Sequence, residues 1–136
     1  MREILFHGKR IDNGEWVEGD LIQLHDGRRF IVDNRFGACL DAEGNFINTE
    51  APFVCEVDPA TVGQFTLTNK NGKKVFEGDI VKRYDSARAY QVKWNPTFPA
   101  FWCFRSSDYK FLLTEDFEVI GSIHDNPELL EEAKCD

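Results

Sequence analysis

The chain has 136 residues, of which 42% are hydrophobic, and its 24 acidic and 16 basic residues give a formal net charge of −8. This length fits one ordinary domain or two small half-domains. A unit of about 60 residues is only marginally stable alone, so two halves are expected to share apolar surface. The acidic balance disfavours a protein that wraps a phosphate backbone over a broad surface.

The N-terminal residues 1–9 carry charges where a signal peptide requires an apolar core, and no apolar run reaches the length of a membrane span. The four cysteines, Cys39, Cys55, Cys103 and Cys135, form no C-x-x-C pair that would indicate a zinc or thioredoxin-like site. Disulfides are formally possible, but free thiols packed as small hydrophobic groups are expected. The sequence therefore predicts a cytoplasmic protein without a membrane segment and without a cofactor.

Strand patterns dominate both halves of the chain, as short runs of β-branched and aromatic residues alternate with Gly, Asn and Asp. In the first half, strands are predicted at residues 4–7, 15–24, 29–33, 38–40 and 53–57, with turns at 13–14, 26–27 and 44–45. In the second half, strands are predicted at residues 75–84, 90–94, 100–104 and 117–123. The fold class expected is all-β.

An internal duplication is the strongest pattern in the sequence. The run WVEGDLI at 16–22 returns as VFEGDIV at 75–81, with an offset of 59 residues. Each copy follows an Asn-Gly pair that favours a hairpin turn, so a whole supersecondary unit is predicted to occur twice. We therefore expect residues 15–33 and 74–94 to superpose as the same twisted hairpin.

The two halves also end alike, since Asp58 and Asn126 each precede a proline. An Asx N-cap followed by proline is typical of a helix start. The first should form a single turn, and the second a short C-terminal helix that runs to about Lys134. These signals place the first pseudo-repeat at residues 1–62 and the second at 63–136.

The repeated motifs Glu18-Gly19-Asp20 and Glu77-Gly78-Asp79 have two interpretations. If the halves faced each other, the four carboxylates could offer oxygen ligands to a hard cation. The structural interpretation is favoured, because Gly permits a bend at positive φ and Asp accepts hydrogen bonds from nearby backbone N–H groups. No metal site is therefore predicted.

The three histidines, His7, His25 and His124, belong to no short-range metal or nucleophile motif. The sequence thus predicts that the protein is not an enzyme. An alternative is a hydrolase or metal-dependent enzyme whose site assembles only in three dimensions from distant residues.

The segment from 90 to 104 is the strongest candidate surface because it is dense in aromatic residues. In an extended strand at 100–104, Phe101 and Cys103 face one way while Trp102 and Phe104 face the other. Both faces are apolar, so the second needs cover from the other half of the chain or from another subunit. A homo-oligomer is predicted, with a candidate interface made of Trp94, Phe98, Phe101, Trp102, Phe104, Leu129 and Leu130.

Basic residues gather at 28–29, at 70–74 and at 82–83. On a small barrel they could line a groove for single-stranded nucleic acid, with Trp94 or Phe98 as stacking platforms. Carboxylates between these basic residues weaken the positive potential of such a groove, so nucleic-acid binding is the second choice after protein interaction.

A family resemblance covers nearly the whole chain. The central block at 57–66, the run FEGDIV at 76–81 and the closing run VIGSIHDNPELL at 119–130 resemble the motifs of YopX-type proteins, which bacterial phages and prophages encode. One departure is Leu67-Thr68-Asn69, where the family usually has a glycine turn. The resemblance implies a small β-barrel fold of the SH3-like type, a mobile-element origin and a bacterial host cell, but no activity and no catalytic residue. Together with the duplication, it predicts two SH3-like β-barrel pseudo-repeats that form one compact unit with a short C-terminal helix.

Overall fold

The computed structural model describes residues 3–33, 42–43, 54–105 and 110–130. The chain divides into two compact units, Met1–Gln64 and Phe65–Asp136. The described residues are mostly β-strand, and every pair of strands among them is antiparallel. The all-β prediction is therefore confirmed at the level of fold class.

Unit 1 is a sheet in which neighbouring strands follow the order β4-β3-β2-β1-β5. Its strands are β1 (Phe6–Lys9), β2 (Trp16–Gln23), β3 (Arg29–Asp33), β4 (Val54–Val57) and the first two residues of β5 (Gly63–Thr68). Inward-facing residues of three strands form its core, namely Val17, Ile31, Cys55 and Val57. Alternation of apolar and polar side chains along β2 places Val17 inward, as a half-buried strand requires.

The Asx cap predicted at Asp58 is confirmed. The Asp58 carboxylate accepts a hydrogen bond of 3.0 Å from the Ala60 amide and begins the 3-10 turn Pro59–Thr61. The Thr61 hydroxyl then accepts a 2.9 Å bond from the Lys9 amide, which ties the turn to β1. The Asp58 carboxylate thus supplies a partner for the Ala60 N–H, one of the amides that a helical turn leaves without a partner at its start.

Unit 2 contains a five-stranded sheet with the order β10-β9-β8-β7-β11, and the rest of β5 pairs with β6. Its strands are β6 (Lys74–Phe76), β7 (Asp79–Arg83), β8 (Ala89–Asn95), β9 (Ala100–Phe104), β10 (Lys110–Leu112) and β11 (Phe117–Ser122). A helix begins at Glu128 and is described as far as Leu130. The predicted extension to Lys134 lies outside the described residues.

The two faces of the five-stranded sheet pack differently. The inner face carries the main core of unit 2, which consists of Val75, Val81, Tyr90, Val92, Cys103, Leu113 and Phe117. On the outer face, Ile80 and Ala89 are covered by Leu129 and Leu130 of the C-terminal helix and by Ile120. The helix covers the side of the outer face near β7 and β11.

The Asn69 side chain fixes the turn at Asn71-Gly72. Its Oδ1 accepts 3.0 Å hydrogen bonds from the amides of Asn71 and Lys73, and its Nδ2 donates to the Phe117 carbonyl. Gly72 has a φ of 82°, as the predicted Asn-Gly turn requires. Asn69 thus organises this turn.

Several sequence predictions need correction. The single strand predicted at 75–84 is two strands, because residues 77–78 form a turn between β6 and β7. Strands β5 and β10 were not predicted, and the features expected at 38–40 and 44–45 lie outside the described residues. The closed SH3-like barrels are not confirmed, since β10 and β11 stay unpaired with each other in the described part of unit 2.

Candidate interaction surface

The outer face of strands β8, β9 and β10 carries a row of large side chains outside the cluster that the described helix residues Leu129 and Leu130 join. Trp102 lies between Lys93 of β8 and Leu112 of β10, and Phe104 lies opposite Lys110. Directly opposite residues of antiparallel strands share a face, so these five side chains form one surface. The predicted orientation of Trp102 and Phe104, opposite to that of Phe101 and Cys103, agrees with this register.

Two apolar side chains of this surface are largely exposed. Phe98, in the loop between β8 and β9, is 61% exposed, and Leu112 is 52% exposed. The Phe98 ring lies 6.3 Å from that of Trp102, measured between centroids. We call Phe98, Trp102, Phe104 and Leu112 the aromatic patch. The buried Trp102 indole N–H finds no acceptor among the described residues, so the patch also holds an unpaired donor.

Two lysines flank the rings of the aromatic patch. The Lys93 ammonium lies 6.0 Å from the Phe104 ring centroid, and the Lys110 ammonium lies 5.9 Å from that of Trp102. Both distances fit a cation–π contact, worth about 0.5–1 kcal/mol at an exposed site. Strands β8, β9 and β10 contain no carboxylate, so the charged side chains that these strands contribute to the surface, Lys93 and Lys110, are both cations.

The structure separates the other predicted interface residues from the patch. Trp94 and Phe101 pack edge to face on the opposite face, with centroids 5.2 Å apart, and Phe101 contacts the inner core. Leu129 and Leu130 are half-buried against Ile80 and cover a different part of the outer face. The seven predicted residues therefore divide among three places, and the aromatic patch contains three of them, Phe98, Trp102 and Phe104.

The two acidic motifs lie in separate units and in different local structures. Glu18-Gly19-Asp20 is part of β2, and its Asp20 is exposed. In the other copy, Asp79 is buried and accepts a 2.8 Å hydrogen bond from the Phe76 amide. Burial raises the pKa of the Asp79 carboxyl to about 7. Within the described ranges, no group of three or more His, Cys, Asp or Glu side chains could hold a metal ion.

The three histidines lie in three different elements of the fold. His7 is buried in β1, with its ring 4.4 Å from that of Trp16. His25 is exposed at the β2–β3 turn, and the His124 amide donates a 3.0 Å bond to the Ser122 hydroxyl. None of these contacts resembles a nucleophile–base pair.

A shallow polar pocket of about 170 Å³ in unit 2 is a feature that the sequence analysis missed. It is lined by Lys70, Arg83, Tyr84, Asp85 and Asp116. The Lys70 ammonium lies 4.2 Å from the Tyr84 ring centroid, and the buried Tyr84 hydroxyl is without a hydrogen-bond partner among the described residues. Burial raises the pKa of the Tyr84 phenol, and the nearby acids Glu118 and Asp116 add to the shift. The lining has two cationic and two anionic side chains, so its net charge favours neither an anionic nor a cationic ligand.

The comparisons with known proteins assign a family. No helix in the described part of the chain is both long and apolar enough to cross a membrane. No curated protein matches the sequence. Residues 6–131 match the family described as YopX protein, which confirms the resemblance in the sequence motifs over nearly the whole length. The chain therefore belongs to the YopX family.

Proposed function

We propose that this YopX-family chain is a non-enzymatic interaction module of phage or prophage origin, that it acts in the bacterial cytoplasm, and that it self-associates through the aromatic patch. The observation that supports this most is the exposure of Phe98 and Leu112 beside the rings of Trp102 and Phe104. A cluster of exposed large apolar side chains is typical of an interaction site, whereas scattered single ones are ordinary.

Energetics favour a covered patch. A large apolar side chain left in water forgoes roughly 1.5–3 kcal/mol compared with one that is buried. The part of the helix that the structure describes packs against Ile80 and Ala89, away from the aromatic patch. A symmetric homo-oligomer supplies the missing cover from an identical copy, and Trp and Phe are frequent energetic centres of such interfaces.

Light scattering after size-exclusion chromatography tests this proposal. We expect the wild type to form a dimer or larger oligomer at micromolar concentration, and Leu112→Ser to associate measurably more weakly. Ile11→Ser is the matched control, since Ile11 is 59% exposed but lies in unit 1. A wild type that stays monomeric at every concentration would overturn the proposal.

A second candidate function, nucleic-acid binding, is favoured by the two lysines that flank the rings. Stacking platforms beside cationic side chains are the usual elements of single-strand recognition. A gel-shift assay with single-stranded DNA and RNA across a salt series is the test, with Lys93→Gln/Lys110→Gln as the variant. Binding that falls steeply with salt and is lost in the variant would support this function, because phosphate contacts release counterions.

The proposal includes two SH3-like pseudo-repeats. Its support is that Asn-Gly hairpins precede both Glu-Gly-Asp motifs and that a hairpin follows each of them. An experimental structure in which residues 15–33 and 74–94 have unrelated strand orders would contradict it.

A further inference from the structure

Strand β10 is an exposed edge of the five-stranded sheet. Its three residues, Lys110, Phe111 and Leu112, are all exposed, and Phe111 is 42% exposed. The amide of Leu113 donates a 3.2 Å hydrogen bond to the Phe101 carbonyl of β9. Hydrogen-bonded residues alternate along an antiparallel pair, so Phe111 also bonds to β9. The backbone N–H and C=O groups of Lys110 and Leu112 therefore point away from β9.

The opposite edge of the same sheet is protected. Strand β11 has a register shift between Val119 and Gly121 in its pairing with β7. A Cβ at Gly121 would meet the Leu129 side chain at 2.9 Å, so the chain that follows β11 packs closely there. Bulges and covering segments are the devices by which natural sheets block edge pairing. Among the residues that the structure describes at the β10 edge, Lys110 alone is of a type that blocks pairing.

We propose that two copies of the chain join along β10. The two strands would run antiparallel about a two-fold axis at Phe111 and would extend two five-stranded sheets into one sheet of ten strands. This inference rests on the self-association proposed above and specifies where the copies meet.

The sequence of β10 fits itself in this register. Lys110 of one copy lies opposite Leu112 of the other, and the N–H and C=O groups of these two residues form four hydrogen bonds across the axis. The ammonium groups are thus offset along the strands. Register shifts that place Lys110 opposite Lys110 bring like charges together and are destabilising. A second copy of this strand is therefore a better occupant of the edge than an unspecified peptide.

Charge also disfavours direct stacking of one aromatic patch on another. Such an arrangement brings Lys93 and Lys110 of both copies into one interface, and β8, β9 and β10 supply no carboxylate to pair with them. Unpaired charges in an interface core are costly. Edge pairing covers Phe111 and Leu112 and leaves the lysines at the surface. The aromatic patches of the two copies then lie side by side on one continuous face.

Proline at position 112 tests the edge directly. In Leu112→Pro, the amide that is lost points outward, so pairing with β9 is kept while a bond to the second copy is removed. We expect sedimentation to show association weakened by about tenfold or more. Leu112→Ala keeps the amide and should weaken association less. Phe98→Ser, outside β10, should retain the dimer.

Three outcomes separate the two proposals. A wild type that is monomeric overturns self-association itself. A dimeric, folded Leu112→Pro overturns the edge inference alone, as does a monomeric Phe98→Ser whose fold is intact.

If Leu112→Pro fails to fold, a cross-linking measurement on a different variant tests the inference instead. Phe111 faces its own copy across the axis as a non-hydrogen-bonded pair, with Cα atoms about 4.5 Å apart, which suits a disulfide. Because Cys103 lies opposite residue 111 in β9, the test uses a Cys103→Ala background, in which Phe111→Cys should link two chains under mild oxidation, with the 111–111 bond identified by mass spectrometry. Lys110→Cys is the control, because the register offsets the two copies of residue 110. Failure of Phe111→Cys to link in a dimeric sample contradicts the inference.

Discussion

The two copies of the Glu-Gly-Asp motif lie at the same kind of place in the two units. In unit 1, β2 pairs with β1 as far as Gly19 and with β3 from Gly19 onward. In unit 2, β6 pairs with β5 up to Phe76, and β7 pairs with β8 from Ile80. Gly19 and Gly78 therefore both mark the point where the chain changes its strand partner.

The glycine is required for different physical reasons in the two copies. Gly78 has a φ of 94°, and a Cβ there would meet nothing closer than 3.6 Å, so its need is conformational. Gly19 continues β2 without a positive φ, and a Cβ there would overlap the Val32 carbonyl oxygen. The prediction of a positive φ is right for Gly78 and wrong for Gly19. A duplicated motif can thus keep its residue while exchanging a turn for a close backbone contact.

Of the substitutions that test this comparison, Gly19→Ala is expected to lower the free energy of unfolding most. Any Cβ displaces the Val32 carbonyl, which is backbone within the β2–β3 pair and cannot rotate away. We expect the free energy of unfolding, measured by urea titration, to fall by more than about 4 kcal/mol. Gly14→Ala is the control for backbone conformation alone, since Gly14 has a positive φ and open space. If Gly19→Ala lowers the free energy of unfolding no more than Gly14→Ala does, overlap with the Val32 carbonyl is not the reason for glycine at position 19.

The equivalent aspartates should differ in their effect on pH-dependent stability. Burial raises the pKa of Asp79 from 3.8 to about 7, so the folded state holds a proton that the unfolded state releases. The resulting stabilisation is complete below about pH 4 and is lost as the pH rises to about 7. Asp79→Asn should remove this pH dependence. Its free energy of unfolding at pH 8 should exceed that of wild type by about 2–4 kcal/mol.

Asp20→Asn is the matched control for Asp79→Asn, because Asp20 is exposed in β2. Urea titrations at pH 4, 6 and 8 should give the same profile for this variant as for wild type. If Asp79→Asn also follows the wild-type profile, the Asp79 carboxyl is not protonated in the folded protein.

Gly78→Ala should have a smaller effect than Gly19→Ala. The space at Gly78 admits a Cβ, so the expected cost is only that of a left-handed backbone, about 1–2 kcal/mol. Gly78→Asn should cost less than Gly78→Ala, because Asn tolerates this region better. Equal losses for Ala and Asn would show that contact with His124 or Ile123 decides the effect.

Local chemistry explains what the sequence could predict. The strands at 29–33 and 100–104 match β3 and β9 because their boundaries are marked by turn residues and their interiors by aromatic and β-branched residues. Strand β10 has only three residues and exists through its pairing with β9, which no local pattern encodes. The patch was predicted in part, since alternation gives the orientation of Trp102 but not its lysine neighbours from β8 and β10.

The smallest expected effect uses one buried cysteine in each unit as a probe of local opening. The thiols of Cys55 and Cys103 are buried in the cores of units 1 and 2. Burial also raises the pKa of the Cys103 thiol to about 12, so in the folded state it has little thiolate at pH 8. Labelling of either cysteine therefore requires opening of the core around it.

Gly19→Ala should speed the labelling of Cys55 more than that of Cys103, and Gly78→Ala should do the reverse. The reason is that each substitution strains the sheet of one unit while the other core keeps its packing. Iodoacetamide pulses at pH 8, with the labelled peptides quantified by mass spectrometry, give both rates in one sample. Denatured, unreduced protein supplies the reference and should release all four thiols. If both cysteines accelerate equally in both variants, the two units open as one cooperative structure, and the two glycines act on a common stability.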